Sequence, residues 1–139
     1  MDYEEAVNLI LMHGIGRDDV PLEHAMIPGG FLDNLRPFTG LREENFLQVL
    51  EAIISLAPHL AGKDSLERRL VFGMWELIRR TELWGLDPNG MIQRNRLMSD
   101  DDTKRLRLWY RCLEMAVSKL LRGNDPGEAL TYYRESISP

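Results

Sequence analysis

Apolar residues recur along this chain at helical spacing. Tyr3, Ala6, Val7, Ile10 and Leu11 share one face of a short helix over 3–12, which Gly14 stops. Over 42–60, Phe46, Leu50, Ile53, Ala57 and Leu60 make one stripe, widened by Leu47, Val49, Ile54 and Leu56; a helix this apolar is expected at the centre of the fold. Over 65–84, Leu70, Met74, Leu77 and Ile78 form a core face, to which Phe72, Trp75 and Trp84 add bulk. The strongest pattern is 100–122, with Leu106, Trp109, Leu113, Ala116 or Val117, and Leu120 in line. Ser99 is placed to cap it, and Asp100, Asp101 and Asp102 sit where the helix dipole favours negative charge. A last helix runs from Asp125-Pro126 to about Ile137, with Glu128 in its first turn.

The polar punctuation agrees with this reading. Gly62-Lys63-Asp64-Ser65, Gly85-Leu86-Asp87-Pro88 and Gly123-Asn124-Asp125-Pro126 each join a helix stop to a helix start. Gly takes the left-handed backbone that ends a helix, Asp caps the next one, and Pro fits its first turn. Asp64 with Glu67 resembles a capping box. Residues 86–99 form a connection, with room for one helical turn after Pro88 that Asn89-Gly90 weakens.

Residues 14–41 break the pattern. Gly14, Gly16, Pro21, Pro28, Gly29, Gly30, Pro37 and Gly40 leave room only for short turns, around Leu22–Ala25 and Phe31–Leu35. Ile27, Phe31, Leu32, Leu35 and Phe38 give the stretch apolar anchors, so it is expected to pack across one end of the bundle. The predicted fold is therefore all-α: one domain over 1–139, a compact bundle of four to five helices. An offset of 38 aligns Arg69, Leu70, Glu76, Leu83, Gly85, Asp87 and Pro88 with Arg107, Leu108, Glu114, Leu121, Gly123, Asp125 and Pro126. Shared helix punctuation and Leu-rich composition account for most of that match, and two units fall short of a repeat array.

Charge changes the picture more than bulk composition does. Residues 1–62 carry 3 basic against 10 acidic side chains, while 63–139 carry 14 against 12. The whole is too acidic, at a net −5, for generic nucleic-acid binding. Arg outnumbers Lys 14 to 3, which favours planar bidentate contacts, although a GC-rich, bacterial-like genome produces the same bias. No apolar run has the length of a membrane span, and the first residues are acidic where a secretory signal is basic. Cys112 is the single cysteine, which excludes an internal disulfide. These features point to a cytoplasmic protein with no membrane association.

No catalytic, metal or cofactor constellation stands out. His13, His24 and His59, with Asp18 and Asp19 nearby, lack the short spacings of metal ligands. Cys112 sits in an apolar helix beside Leu113, as inert packing cysteines do. Gly14-Ile15-Gly16 and Pro28-Gly29-Gly30 follow no strand and precede no Lys-Ser/Thr, so they read as turns. Asp100, Asp101 and Asp102 read as helix capping rather than a cation site.

Two constellations remain. Arg79 and Arg80 end one helix, Arg94 and Arg96 lie in the next connection, and Lys104, Arg107 and Arg111 share a face of the following helix. These seven form a candidate interaction surface, with Trp84 and Trp109 near it in sequence. Arg36, Glu43, Glu44, Asn45, Asp87 and Arg94 form a candidate network, in which Arg36 or Arg94 pairs with Glu43 or Glu44 to pin the 14–41 segment or to line a pocket beneath it. The expected function is a non-catalytic protein-interaction or regulatory module, an adaptor or immunity-type binder, whose partner is another protein or a second copy. The alternatives are a small ligand-binding protein or enzyme with a pocket under the 14–41 loop, and a nucleic-acid binder using the Arg face. Trp75, Trp84 and Trp109 together offer an aromatic patch for self-association.

Overall fold

A computed structural model of the chain describes residues 1–14 and 29–139. The architecture is all-α, with five helices of eleven residues or more: α1 (Tyr3–Gly14), α2 (Glu43–Ser55), α4 (Arg68–Arg80), α6 (Asp100–Leu121) and α7 (Gly127–Ile137). Two single turns, α3 (Ala57–Leu60) and α5 (Met91–Arg94), join them, and a π-helical turn over Thr81–Leu86 continues α4. No strand occurs among the described residues; the only pairing of that kind is an isolated bridge between Leu35 and Phe38. No helix among them is long and apolar enough to cross a membrane.

α1 packs against α2 and α4, and α6 packs against α2, α4 and α7. One continuous core fills the space between them, drawing Ile10 from α1, Phe46, Leu50 and Ile53 from α2, Leu70, Met74 and Leu77 from α4, and Leu106, Trp109 and Leu113 from α6. Its centre is aromatic. Phe46 stacks on Trp109 with ring centroids 5.0 Å apart, and Tyr133 of α7 meets Phe46 edge-on at 4.9 Å. Cys112 is buried in α6, and desolvation pushes its thiol up to about 11.

Several expected boundaries shift, each for a physical reason. The single helix over 42–60 is broken at Leu56, and Pro58 stands in the first turn of α3. Proline lacks an N–H and its ring collides with the carbonyl four residues back, so an uninterrupted helix is not available. The helix expected from residue 65 begins at Arg68, with no capping box. The Glu67 carboxylate, which would have closed that box, is engaged elsewhere: Tyr3 Oη donates to Glu67 Oε1 at 2.8 Å, and Arg69 Nε donates to Glu67 Oε2. Arg69 also pairs with Glu4 at 2.9 Å, which clasps α1 to α4.

Gly62 and Gly123 do take the left-handed backbone, at φ 74° and 77°. Gly85 does not; it is buried where the π turn crosses α6, and a Cβ there would lie 2.4 Å from Leu106 Cδ2. Ser99 caps α6, accepting from the Asp102 N–H at 3.1 Å, and Asp125 accepts from the Gly127 N–H at 2.8 Å at the start of α7. Positions related by the offset of 38 also differ in environment: Glu76 is buried and Glu114 exposed, and Gly123 has the positive φ that Gly85 lacks.

The described half of the 14–41 segment is packed. Phe31, Leu32 and Leu35 are buried, and Phe31 lies against Trp109. The turn expected near Leu22–Ala25, together with Ile27, His24, Asp18 and Asp19, lies outside the described residues.

Candidate protein-interaction face

The sequence of α4, Arg-Arg-Leu-Val-Phe-Gly-Met-Trp-Glu-Leu-Ile-Arg-Arg, is apolar around most of its circumference between its charged ends. A helix on the surface of a bundle needs only one apolar stripe, and Leu70, Gly73, Met74 and Leu77 supply it. The rest face outward. Val71 is 40% exposed, Phe72 44% and Trp75 55%. Phe72 and Trp75 thus do not serve the core as expected; the stripe at 70, 74 and 77 already fills it.

α4 and α6 run antiparallel: Glu82 meets Tyr110 and Gly85 meets Leu106, so Val71 lies toward Leu121. Between them runs a groove of about 260 Å³ lined by Val71, Met74, Trp75, Ile78, Val117 and Leu121, with Glu114 and Ser118 on the α6 wall. Leu121 is itself 49% exposed. At one end the groove closes on a polar cluster in which Tyr110 donates to Glu82 Oε2 at 2.9 Å and Arg79 pairs with Glu82 at 3.5 Å. Burial, then Glu82 and Glu114, raise the Tyr110 pKa far above its ordinary value, so its hydroxyl keeps its proton. At the other end Leu121 is shared with a wider, more polar cleft of about 510 Å³ between the Gly62 and Gly123 turns, where Lys63 and Arg122 stand.

Cations flank part of the groove. On α4, Arg68 and Arg79 share the row of Phe72 and Trp75; on α6, Arg111 stands one turn before Glu114, and Lys104 and Arg107 continue that row past the Tyr110–Glu82 cluster, beyond the groove's end. Arg68, Lys104, Arg107 and Arg111 make no ion pair with any described residue. The other members of the candidate surface lie elsewhere. Arg80 turns inward, donating to buried Glu76 at 3.0 Å and standing 5.5 Å from the Trp84 ring. Arg94 and Arg96 lie on and just after α5, beside exposed Met91 and Leu97. Trp109 is buried in the core and Trp84 is half-buried beneath Arg80 and Arg36, so the three tryptophans do not form one patch; Trp75 alone is strongly exposed.

The candidate pinning network is built differently from the expected ion pairs. Neither Glu43 nor Glu44 pairs with Arg36 or Arg94. Arg36 stacks over Trp84 at 5.1 Å, and Glu43 accepts from the Tyr133 hydroxyl. Glu44 and Arg94 are exposed, and Asp87 accepts from the Asn89 N–H at 2.9 Å in its own turn. Pinning runs through neutral groups instead. Asn45 Nδ2 donates to the Gly29 carbonyl at 2.6 Å. His13 Nδ1 accepts from the Phe31 N–H at 3.0 Å, and its backbone carbonyl accepts from Leu32 at 3.1 Å. Because Nδ1 is an acceptor, Nε2 carries the proton and donates to Gln48 Oε1 at 2.6 Å. Burial holds the His13 pKa below its ordinary value. The sequence marks His13 only as a histidine without metal-ligand spacing, because a packing role leaves no spacing signature.

No group of three or more His, Cys, Asp or Glu side chains that would hold a metal ion occurs among the described residues. The cavity under the described part of the 29–41 segment, lined by Phe31, Leu35, Leu41, Leu106 and Trp109, leaves no room for a water-sized molecule. Comparison with protein-family models, with curated proteins and with solved structures finds no match to this chain.

Proposed function

We propose that this protein is a non-catalytic interaction module that docks another protein on the α4–α6 face. The observation that carries the reading is the groove itself. Val71, Phe72, Trp75 and Leu121 are large apolar side chains, 40% exposed or more, on two adjacent helices. Isolated exposed apolar residues are ordinary on a protein surface, but a contiguous set with a cationic rim is characteristic of a binding site. Trp and Arg are also the residues most enriched where binding energy concentrates.

The pocket reading has less support, since the described segment fills the space beneath it with its own side chains. The nucleic-acid reading has less support as well. The cations flank a carbon-lined groove, and the chain carries a net charge of −5, which opposes binding to a phosphate backbone.

The test is affinity capture from the native lysate with the wild-type chain and with Trp75→Ser, both checked for helicity by circular dichroism. A stoichiometric partner held by the wild type and lost from the Trp75→Ser chain is the expected result. A partner retained equally by both chains overturns the assignment of this face.

A further inference from the structure

We infer that the occupant of the α4–α6 groove is an acidic amphipathic helix of about three turns, presented by a different protein; this rests on the interaction reading above and names its partner class. The argument begins with shape. The groove lies between two antiparallel helices and is lined by Met74, Ile78 and Val117. The exposed α4 face from Arg68 to Arg79 is about 16 Å long at the ordinary helical rise. A helix laid in it presents apolar residues at i, i+3, i+4 and i+7, the standard arrangement for a helix docked in a groove.

Charge then selects the kind of helix. Arg68 and Arg79 stand on one rim and Arg111 at the end of the other, against Glu114 as the one carboxylate among the described residues lining the groove. These cations lie outside the apolar floor, so they face the flanks of an inserted helix. Carboxylates on those flanks reach guanidinium groups that make planar, two-point contacts. Among the described residues Arg79 pairs with Glu82 alone, at 3.5 Å, a contact that a partner carboxylate can replace.

The same charges argue against two other occupants. In a two-fold dimer an isologous contact sets the same patch against itself, gathering Arg68, Arg79 and Arg111 of both copies into one interface. An anionic membrane also attracts a basic, aromatic surface, but Trp75 and Leu121 wall a concave groove, and the chain as a whole is acidic.

The experiment uses the full chain and two synthetic helical peptides, capped at both ends, with identical Leu positions at i, i+3, i+4 and i+7. One carries Glu on both flanks and the other Lys. Binding is followed by fluorescence anisotropy. The expected result is binding of the Glu peptide alone, weakened about tenfold or more by Trp75→Ser and by the pair Arg68→Glu with Arg111→Glu, and reduced by added salt. Equal binding of both peptides, or none of either, overturns the inference. So does a concentration-dependent dimer abolished by Trp75→Ser, or Trp75-dependent binding to phosphatidylserine-containing vesicles. The two levels separate cleanly: a Trp75-dependent protein partner in the lysate together with failure of the Glu peptide removes only the acidic-helix class, whereas a partner indifferent to Trp75 removes the docking face itself.

Discussion

Gly14 and Gly73 face each other where α1 crosses α4, and a Cβ at Gly14 would lie 2.8 Å from the backbone oxygen of Gly73. The obstacle is main chain, so it cannot rotate aside. Gly14→Ala is expected to cost about 1–3 kcal/mol through separation of the two helices. At Gly73 an added Cβ meets side chains and no backbone, Leu11 Cδ2 at 3.1 Å and Ile10 Cγ2 at 3.3 Å, and alanine gains about 1 kcal/mol of helix propensity. Gly73→Ala is therefore expected to be close to neutral. Urea unfolding of both variants checks the asymmetry, and equal losses would refute it.

His13 makes stability depend on pH. Its ring is neutral in the fold, with Nδ1 accepting from Phe31 and burial depressing its pKa below 6.5. As pH falls, the unfolded chain takes up the proton first. The contribution is thus complete above the unfolded value and is lost as pH drops through the lower folded one. Unfolding free energy should begin to fall as pH drops towards about 6.5 and continue to fall until the lower folded value is passed, and His13→Gln should remove that component. A slope identical in wild type and variant would assign the effect to other groups.

Tryptophans of similar size should respond very differently to substitution. Trp109 is 1% exposed, stacked on Phe46, and donates to Tyr133 Oη at 3.4 Å. Trp109→Ala is expected to cost about 3–5 kcal/mol. Trp75→Ser, on the open side of α4, is expected to change stability by about 0.5 kcal/mol or less. Thermal denaturation of the pair separates a core residue from a binding residue, and a large loss at Trp75 would reassign it to the core.

Ser99 supports the longest helix at its first turn. Removing its hydroxyl leaves the Asp102 N–H without that acceptor, so Ser99→Ala should destabilise by about 1 kcal/mol, while Ser99→Asp should not. Denaturant midpoints for the two variants decide the point.

Helix positions and core stripes were largely readable from spacing, because burial enforces the 3.6-residue period: Phe46, Leu50 and Ile53, then Leu106, Trp109 and Leu113, occupy the core as their pattern required. What escaped the pattern depended on partners far away in sequence. Glu67 carries the spacing of a capping box, but Tyr3, from the other end of the sequence, claims its carboxylate. Gly85 has the look of a helix stop, but its surroundings, not its φ, require a glycine. The groove left one trace in the sequence: 70–78 holds more apolar surface than a single face can bury, with Val71, Phe72 and Trp75 in excess of the stripe at 70, 74 and 77. Assigning the surplus to the core hid it. The rim was harder to define, since Arg80 and Arg79 are neighbours in sequence yet one turns to Glu76 and the other to the outer face.

Cys112 finally provides a clock. It is the chain's single thiol, sealed between α6 and the core, and its pKa near 11 leaves almost no thiolate to react at neutral pH while the helix is seated. Alkylation therefore proceeds only through openings that bring the buried face of α6 into water. The rate of that reaction, followed as a single mass increment, reads how often that face opens. A ligand seated in the groove should slow it by the same factor by which it suppresses those openings.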